Sequence, residues 1–195
     1  MTKFSKIALC ALIIGSSAFF TSCDDTEDTK APVAKTLYQE LGGTKMVVDP
    51  DDSSKMIEQG RLSFRLVTNS TIQLIVADIT AENPGNFAEH FAPLLAESGT
   101  PQFATNAARL SKNITDIFSV ASGGQATNTY SGLDMITTHN PALNPRMGKK
   151  VSNADMDRFI GFVGEAAAIN GVTDQKIITE VVTLLESLRS KIVQA

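Results

Sequence analysis

The sequence predicts an all-α domain, because apolar residues recur every three or four positions along its longest patterned stretches. Such spacing puts apolar side chains on one helix face, which can then pack into a core. Helix-ending residues separate neighbouring stretches, most clearly at Asn170 and Gly171. The stretches that carry the pattern are 53–79, 103–122, 152–172 and 174–195. We therefore expect four long helices joined by loops.

The chain begins with a segment that is not predicted to belong to this domain. Residues 1–22 contain two lysines, an apolar run at 7–20 and small residues before Cys23. This pattern is typical of a secretion signal, and the run is short for a membrane span. It resembles a bacterial lipobox, in which Cys23 is lipidated and tethers the protein to a membrane. An ordinary signal peptide or a short membrane anchor is the alternative.

An acidic segment, 23–35, follows and is interpreted as a flexible tether. Acidic residues directly after a lipidated cysteine resemble the export signal of Bacteroidetes surface lipoproteins. We therefore expect the outer membrane or the cell surface rather than the inner membrane. The domain itself is predicted to be 36–195. Without 1–22, two of the 17 basic residues are lost and 15 remain against 21 acidic ones. This negative charge disfavours nucleic acid as a partner.

The first long stretch of the domain, 53–79, is rich in β-branched residues. A strand is a rival interpretation over 72–77, but the length of the pattern favours a helix. The stretch 103–122 has clear helical spacing. Between the two lies 80–102, which has three prolines and two glycines and is predicted to be a loop with one short helix at most.

The last two helices are predicted to begin at capping residues. Ser152 is followed three positions later by Asp155, which is a weak capping-box pattern, and Thr173 precedes the final stretch. Arg189 and Lys191 lie near the end of that stretch, where positive charge suits the helix dipole.

Three motifs in this order resemble the truncated haemoglobins, most closely their group I. The first is TLYQELGG at 36–43. The second is an apolar helix that ends in Gly123 and Gly124 and is followed by Tyr130, Gly132, Met135 and His139. The third is the final pair of helices, which are similar in order and length to the family's last two. The resemblance covers most of 36–195 and implies a two-over-two helical sandwich around a haem.

By this resemblance, His139 is the proximal ligand of iron in a noncovalently bound haem b. Tyr130 and Met135 belong to the segment that the family runs along the edge of the haem. Taken without the resemblance, His139 is an ordinary loop histidine, and Asn140 and Pro141 simply end a turn.

The resemblance also implies the residues on the opposite, distal side of the haem, and they are all apolar. They are Ile72, Phe91, Leu110, Ile114 and Phe118. Related proteins usually carry a tyrosine at the place of Ile72, whose hydroxyl donates a hydrogen bond to bound oxygen. Without that donor we expect oxygen affinity to be lower by about 10- to 100-fold. Thr71, Gln73 and His90 are polar residues that could still reach into the pocket.

Basic residues offer partners for the two carboxylates of a haem. Lys112, on the helix before the double glycine, is one candidate. Arg146, Lys149 and Lys150 form a second group, for which a solvated loop is the alternative interpretation. His90 is expected to face solvent or to cap a turn, and a sixth iron ligand is the alternative.

These expectations describe a protein that binds a diatomic gas such as O2, NO or CO. The enzymatic alternative is nitric oxide dioxygenation or peroxidase-like chemistry, which would need an electron donor such as an unknown reductase. A third interpretation is a lipoprotein that has lost haem and uses its helices for contact with protein or lipid. The residue patterns of zinc sites, c-type haem attachment, nucleophile elbows and phosphate loops are absent from the sequence.

Overall fold

The structure, a computed structural model, describes residues 33–81 and 85–195. The predicted signal peptide, 1–22, and the predicted lipidated Cys23 lie outside these ranges. One compact unit spans Ala34–Ala195. Its helices are α1 (Leu37–Glu40), α2 (Gln59–Thr80), α3 (Ala92–Leu95), α4 (Pro101–Ser119), α5 (Met135–Thr138), α6 (Asn153–Ile169) and α7 (Gln175–Ile192). Helices α2, α4, α6 and α7 have between 17 and 22 residues, which confirms the prediction of four long helices.

The main departure from an all-helical domain is a β-hairpin that precedes α2. Strands β1 (Met46–Asp49) and β2 (Asp52–Glu58) pair in antiparallel register, with Val47 opposite Ile57. Ile57 is buried against the domain, whereas Met56 next to it is exposed. This alternation is the period-two pattern of a strand with one covered face.

One sequence prediction around α2 is wrong. The first long helix was expected to include 53–58, but these residues belong to β2. The hairpin is stabilised by a contact that sequence periodicity does not reveal, because Arg65 donates to both carboxylate oxygens of Asp49 at 2.9 and 2.6 Å. Over 72–77 the prediction of a helix rather than the rival strand is confirmed, since these residues lie inside α2.

The four long helices form two layers. Helix α2 contacts both α4 and α6, and α6 packs against α7. The ring of Phe64 on α2 lies 6.1 Å from that of Phe118 on α4 and 6.4 Å from that of Tyr38 on α1. Met156 of α6 and Leu185 of α7 are each 1% exposed in the same core. This arrangement matches the predicted sandwich of two helices over two.

Helix α4 continues into one π-helical turn, Val120–Gly124, and the helical segment ends at the double glycine, as predicted. Gly123 has a φ of 105°. A Cβ atom on Gly124 would lie 2.6 Å from the carbonyl oxygen of Ser119 and 2.8 Å from Cδ2 of Tyr38. The backbone thus approaches Tyr38 more closely than any residue with a side chain would allow.

We expect Gly124→Ala to destabilise the fold by about 1–3 kcal/mol, because the added methyl group would overlap backbone and ring atoms. The free energy of unfolding, measured by urea denaturation, checks this. Gly161→Ala is the matched control, since a Cβ at this position in α6 meets no atom within 4 Å. It should be neutral or stabilising by up to about 1 kcal/mol, as expected for alanine in a helix. Equal losses in both variants would contradict the close approach.

The last residues of the chain pack beside the start of α6. Val193 forms a parallel bridge with Val151, and the amide of Gln194 donates to the carbonyl oxygen of Val151 at 2.9 Å. The side-chain amide of Gln194 also donates to the carbonyl oxygen of Ile136 in α5, at 2.7 Å. Among the helices of residues 33–81 and 85–195, none is both long enough and apolar enough to cross a membrane.

Candidate cofactor site

A cavity of about 760 Å³ opens between the helix layers. Its walls come from α2, α4, α5, α6 and α7 and from the segment 87–94. This volume lies in the range of about 300–1,000 Å³ that is usual for small-molecule and cofactor sites. Most of the side chains that line the cavity are aliphatic, aromatic or thioether, and polar side chains are the minority. The cavity therefore suits a large, mainly apolar molecule that carries a few polar groups.

Almost all the predicted site residues line this one cavity, although they come from distant parts of the chain. They are Phe91, Leu110, Lys112, Ile114, Phe118, Tyr130, Met135 and His139. Ile72 is the exception and does not line it. The sequence motifs thus converge in space, which is the geometric condition for a shared site.

The short helix α5, which His139 directly follows, is fixed at its start. At its start, the Asp134 carboxylate accepts hydrogen bonds from the amides of Ile136 and Thr137, both at 3.0 Å. Before it, the Tyr130 hydroxyl donates to the carbonyl oxygen of Leu133 at 2.7 Å. This single turn of helix would not be stable alone. The capping bonds hold it in a defined position at the cavity wall.

The imidazole of His139 is prepared to act as a metal ligand. Its Nδ1 lies 2.8 Å from the carbonyl oxygen of Met135. A carbonyl can only accept, so Nδ1 carries the hydrogen and Nε2 keeps its lone pair. No described residue hydrogen-bonds Nε2. Burial lowers the pKa of His139, the Met135 carbonyl partly opposes this, and the charge of His90 lowers it further. The neutral imidazole, which is the form that binds metals, is therefore favoured.

Three cations line the cavity, and their partners differ. Lys112 donates to the buried Asp116 carboxylate at 2.5 Å, and Arg146 is paired with Glu97. Arg109 makes no hydrogen bond or ion pair with any residue in 33–81 or 85–195. It was not among the predicted site residues, although it precedes Lys112 by three positions on one helix, where side chains share a face. Arg109 is thus a free cation beside an apolar cavity and can meet an anionic group.

Lys149 and Lys150, the other predicted partners of haem carboxylates, do not line the cavity. The ammonium group of Lys149 pairs with Glu89 at 2.8 Å, and both side chains are at least half exposed. Lys150 is exposed. For these two residues the alternative interpretation, a solvated surface loop, fits the structure.

No protein-family model matches this sequence, and no curated protein matches it. A solved structure does: a crystal structure of truncated haemoglobin from Tetrahymena pyriformis, a tyrosine-to-phenylalanine mutant in the Fe(III) form. The two share 19% sequence identity, with a TM-score of 0.52, over 83% of this chain and 100% of that one. This chain has the truncated haemoglobin fold.

The cavity lining shows which residue of α2 reaches the cavity. The buried face of α2 contains Phe64, Thr68, Thr71, Ile75 and Asp78. Ile75, which is 5% exposed, lines the cavity. The predicted residue, Ile72, is only partly buried and lies beside this face. The sequence prediction was therefore displaced by about one helical turn. The side chain that enters the cavity is still an isoleucine, so α2 contributes no hydrogen-bond donor at this point.

His90 corrects another sequence prediction. It was expected to face solvent or to cap a turn, but it is 3% exposed and lines the cavity of this truncated haemoglobin fold. Its Nδ1 lies 3.2 Å from the carbonyl oxygen of Lys149, and its Nε2 lies 3.3 Å from a carboxylate oxygen of Asp155. Nε2 is fully buried and makes no hydrogen bond to a described residue. The alternative interpretation of His90, a sixth iron ligand, therefore stays a prediction.

Proposed function

We propose that the chain binds haem b noncovalently in this cavity, with Nε2 of His139 as the axial ligand of the iron. The observation that carries the proposal is the His139 hydrogen bond to Met135. This bond orients the ring and leaves one nitrogen with an unshared lone pair beside a cavity of suitable size. The same second-shell arrangement supports histidine ligands in many metal sites.

The cavity wall supplies the remaining contacts that a haem requires. Its apolar residues, including Phe118 and Phe159, would cover the faces of the macrocycle and exclude water from the iron. Arg109 would pair with a carboxylate of the haem, since no described residue forms a hydrogen bond or ion pair with its guanidinium. Lys112 is held by Asp116, which also accepts from Arg61 at 2.5 Å. This buried carboxylate therefore holds Lys112, which lines the cavity, and Arg61 together.

We further propose that the bound haem takes a diatomic gas such as O2, NO or CO. Bound haem would supply the iron that holds the gas, and the residues that line the cavity would determine which molecules reach it. A second, smaller cavity of about 140 Å³ shares Phe118 and Leu185 with the first. Its lining is largely aliphatic and includes the exposed residues Leu66 and Val182. An apolar cavity of this size suits a small neutral gas and disfavours charged molecules.

The apolar distal side favours reversible ligand binding over catalysis. Activation of oxygen or peroxide at a haem is assisted by groups that donate hydrogen bonds or protons near the ligand. Ile75, Leu110 and Ile114 offer none of these groups.

We also propose that the chain belongs to group I of the truncated haemoglobins, which the motifs at 36–43 and 123–139 support.

Titration of the purified full chain with haemin tests the proposal. We expect an intense absorption band of protein-bound haem that saturates at one haem per chain. The same end point should follow from the quenching of a fluorescent haem analogue as a second readout. A chain that remains colourless with excess haemin, while its circular dichroism spectrum is helical, would contradict haem binding.

The proposed membrane tether depends on the sequence of 1–23 alone. We expect Cys23→Ser to abolish labelling by a radioactive or clickable fatty acid and to release the protein from the membrane fraction. Cys10→Ser is the matched control, because this cysteine lies within the segment that is proposed to be removed. Unchanged labelling of Cys23→Ser would eliminate the lipoprotein proposal without affecting haem binding.

A further inference from the structure

The β-hairpin before α2 has one apolar face that the described part of the domain leaves half exposed. On this face, Met46 and Val48 of β1 and Met56 of β2 are between 50% and 55% exposed. Val48 lies directly opposite Met56 in the antiparallel register, so the three side chains are neighbours on one side of the sheet. We call these three residues the hairpin face. They form a small continuous apolar patch rather than isolated exposed residues.

The hairpin does not need this face in order to pack on the domain. Its opposite face carries the buried Ile57, and Asp49 at the end of β1 joins the hairpin to Arg65 of α2. An antiparallel sheet with one solvated side normally carries polar residues on that side. Here the solvated side carries two thioethers and a valine. The hairpin face is therefore available to an apolar partner outside the domain.

The charges beside the hairpin face suit a surface of lipid headgroups. Arg65 or Lys55 lies within 3.4 Å of each of the three aspartate carboxylates in the hairpin, so their negative charges are compensated. Lys45, which precedes Met46, is exposed and forms no ion pair with any residue in 33–81 or 85–195. A lysine can lay its stem along apolar groups while its ammonium stays at the level of the lipid phosphates.

The size of the hairpin face favours a lipid surface over a protein partner. Three half-exposed side chains offer an area on the order of a few hundred Å². A stable protein interface needs about 800 Å² from each partner. A bilayer sets no such minimum, because each side chain can enter it separately, and the flexible methionine side chain adapts well to an irregular surface.

The proposed lipid on Cys23 would keep a bilayer within reach of this face. The residues 24–33 separate Cys23 from Ala34, the first residue of the domain, and a link of this length spans at most about 40 Å. The domain then folds back after one helical turn, since the amide of Gly43 donates to the carbonyl oxygen of Tyr38 at 2.8 Å. Met46 follows three residues later. A short link of this kind gives an effective concentration of about millimolar, so even a weak contact forms often.

We propose that the hairpin face lies against the bilayer that carries the Cys23 lipid. Met46, Val48 and Met56 would enter the boundary between headgroups and acyl chains, and the ammonium of Lys45 would meet lipid phosphates. This contact would give the domain a defined orientation on the membrane, which a lipid at the end of a tether does not provide. The inference rests on the lipid tether proposed above and is independent of haem binding.

Hydroxyl-radical modification of the lipidated protein on vesicles tests this contact, because methionine side chains react readily and report their own exposure. The vesicles contain phosphatidylethanolamine and phosphatidylglycerol. We expect Met46 and Met56 to react at least about fivefold more slowly on the vesicles than in Cys23→Ser in vesicle-free buffer, since side chains at the headgroup boundary leave water. Leu143, which is exposed in the loop 140–151, is the internal reference and should react equally in both samples. Equal methionine rates in the two samples would overturn the proposal.

Two matched variants show whether the protection comes from the hairpin face. Val48→Asp places a charge at its centre, and Val76→Asp makes the same change on α2 at a position that is 49% exposed. Because both valines are about half exposed, neither change should unfold the domain. On vesicles, Val48→Asp should restore rapid modification of Met46 and Met56, whereas Val76→Asp should leave it slow. The same rates in both variants would show that the hairpin face is not the contact.

A second copy of the chain is the competing occupant of this face. Slow methionine modification in Cys23→Ser without vesicles, increasing with protein concentration, would show that a second copy covers the face and that the lipid contact is wrong. Fatty-acid labelling of Cys23 reports the tether separately. A labelled chain whose methionines react at the solution rate would overturn this inference alone, and a chain without label would overturn the tether as well.

Discussion

Replacing His139 with alanine is expected to lower the affinity for haem by more than about 100-fold, because loss of an outer-shell partner of a ligand alone costs about 10- to 100-fold. The variant should show no absorption band of a histidine-ligated haem after gel filtration. Its helical content should persist, since His139 follows the last residue of a four-residue helix and adds little to the core. The measurement is a haemin titration followed by transfer of haem to a competing apoprotein.

The control for this variant is Ile136→Ala on the same short helix. Ile136 is 53% exposed and does not line the cavity, so haem binding should be unchanged. Added imidazole should partly restore the spectrum of His139→Ala, because the vacated space can accept the missing ring. A His139→Ala protein that keeps the wild-type spectrum would show that another residue holds the iron.

The second large effect is expected on the opposite side of the haem. Ile75→Tyr brings a hydroxyl donor into the cavity and should slow the dissociation of oxygen by about 10- to 100-fold. A hydrogen bond to a charged acceptor contributes about 1.5–3 kcal/mol, and bound oxygen carries partial negative charge. Carbon monoxide, which carries less charge when bound, should respond much less. Stopped-flow displacement of oxygen by carbon monoxide measures the rate.

Ile72→Tyr provides the matched control for this substitution. It makes the same chemical change one helical turn earlier, at a position that does not line the cavity. Its oxygen dissociation rate should therefore equal that of the wild type. If Ile72→Tyr slowed dissociation and Ile75→Tyr did not, the sequence prediction of Ile72 as the distal residue would be right. The assignment of Ile75 to the distal side would then be wrong.

Local pattern was sufficient for the parts of the fold that are decided locally. The end of α4 was predictable because two successive glycines stop a helix. Gly123 has a positive φ and packs on Thr36, and Gly124 packs on Tyr38, which explains why both are needed. The position of His139 followed from a motif whose turn is capped within a few residues. The four long helices had strong apolar periodicity. In each case the residues that determine the structure are neighbours in the sequence.

The errors occurred where distant residues decide the outcome. The hairpin depends on Arg65 reaching back to Asp49, which the apolar pattern does not encode. The burial of His90 depends on the loop 140–151, which lies about 60 residues later in the chain, as its contact with Lys149 shows. Ile72 was placed by the family resemblance, and periodicity alone does not show which of Ile72 and Ile75 lines the cavity. Arg109 was missed because the sequence does not show that it lacks a partner within 33–81 and 85–195.

The pairing of Val193 with Val151 links the residues after α7 to the loop before α6. Gln194 extends this link to α5, which His139 directly follows. A purification tag or fusion partner attached after Ala195 would therefore pull on the turn that positions His139, the proposed iron ligand. For work on gas affinity, an affinity handle is better placed away from Ala195.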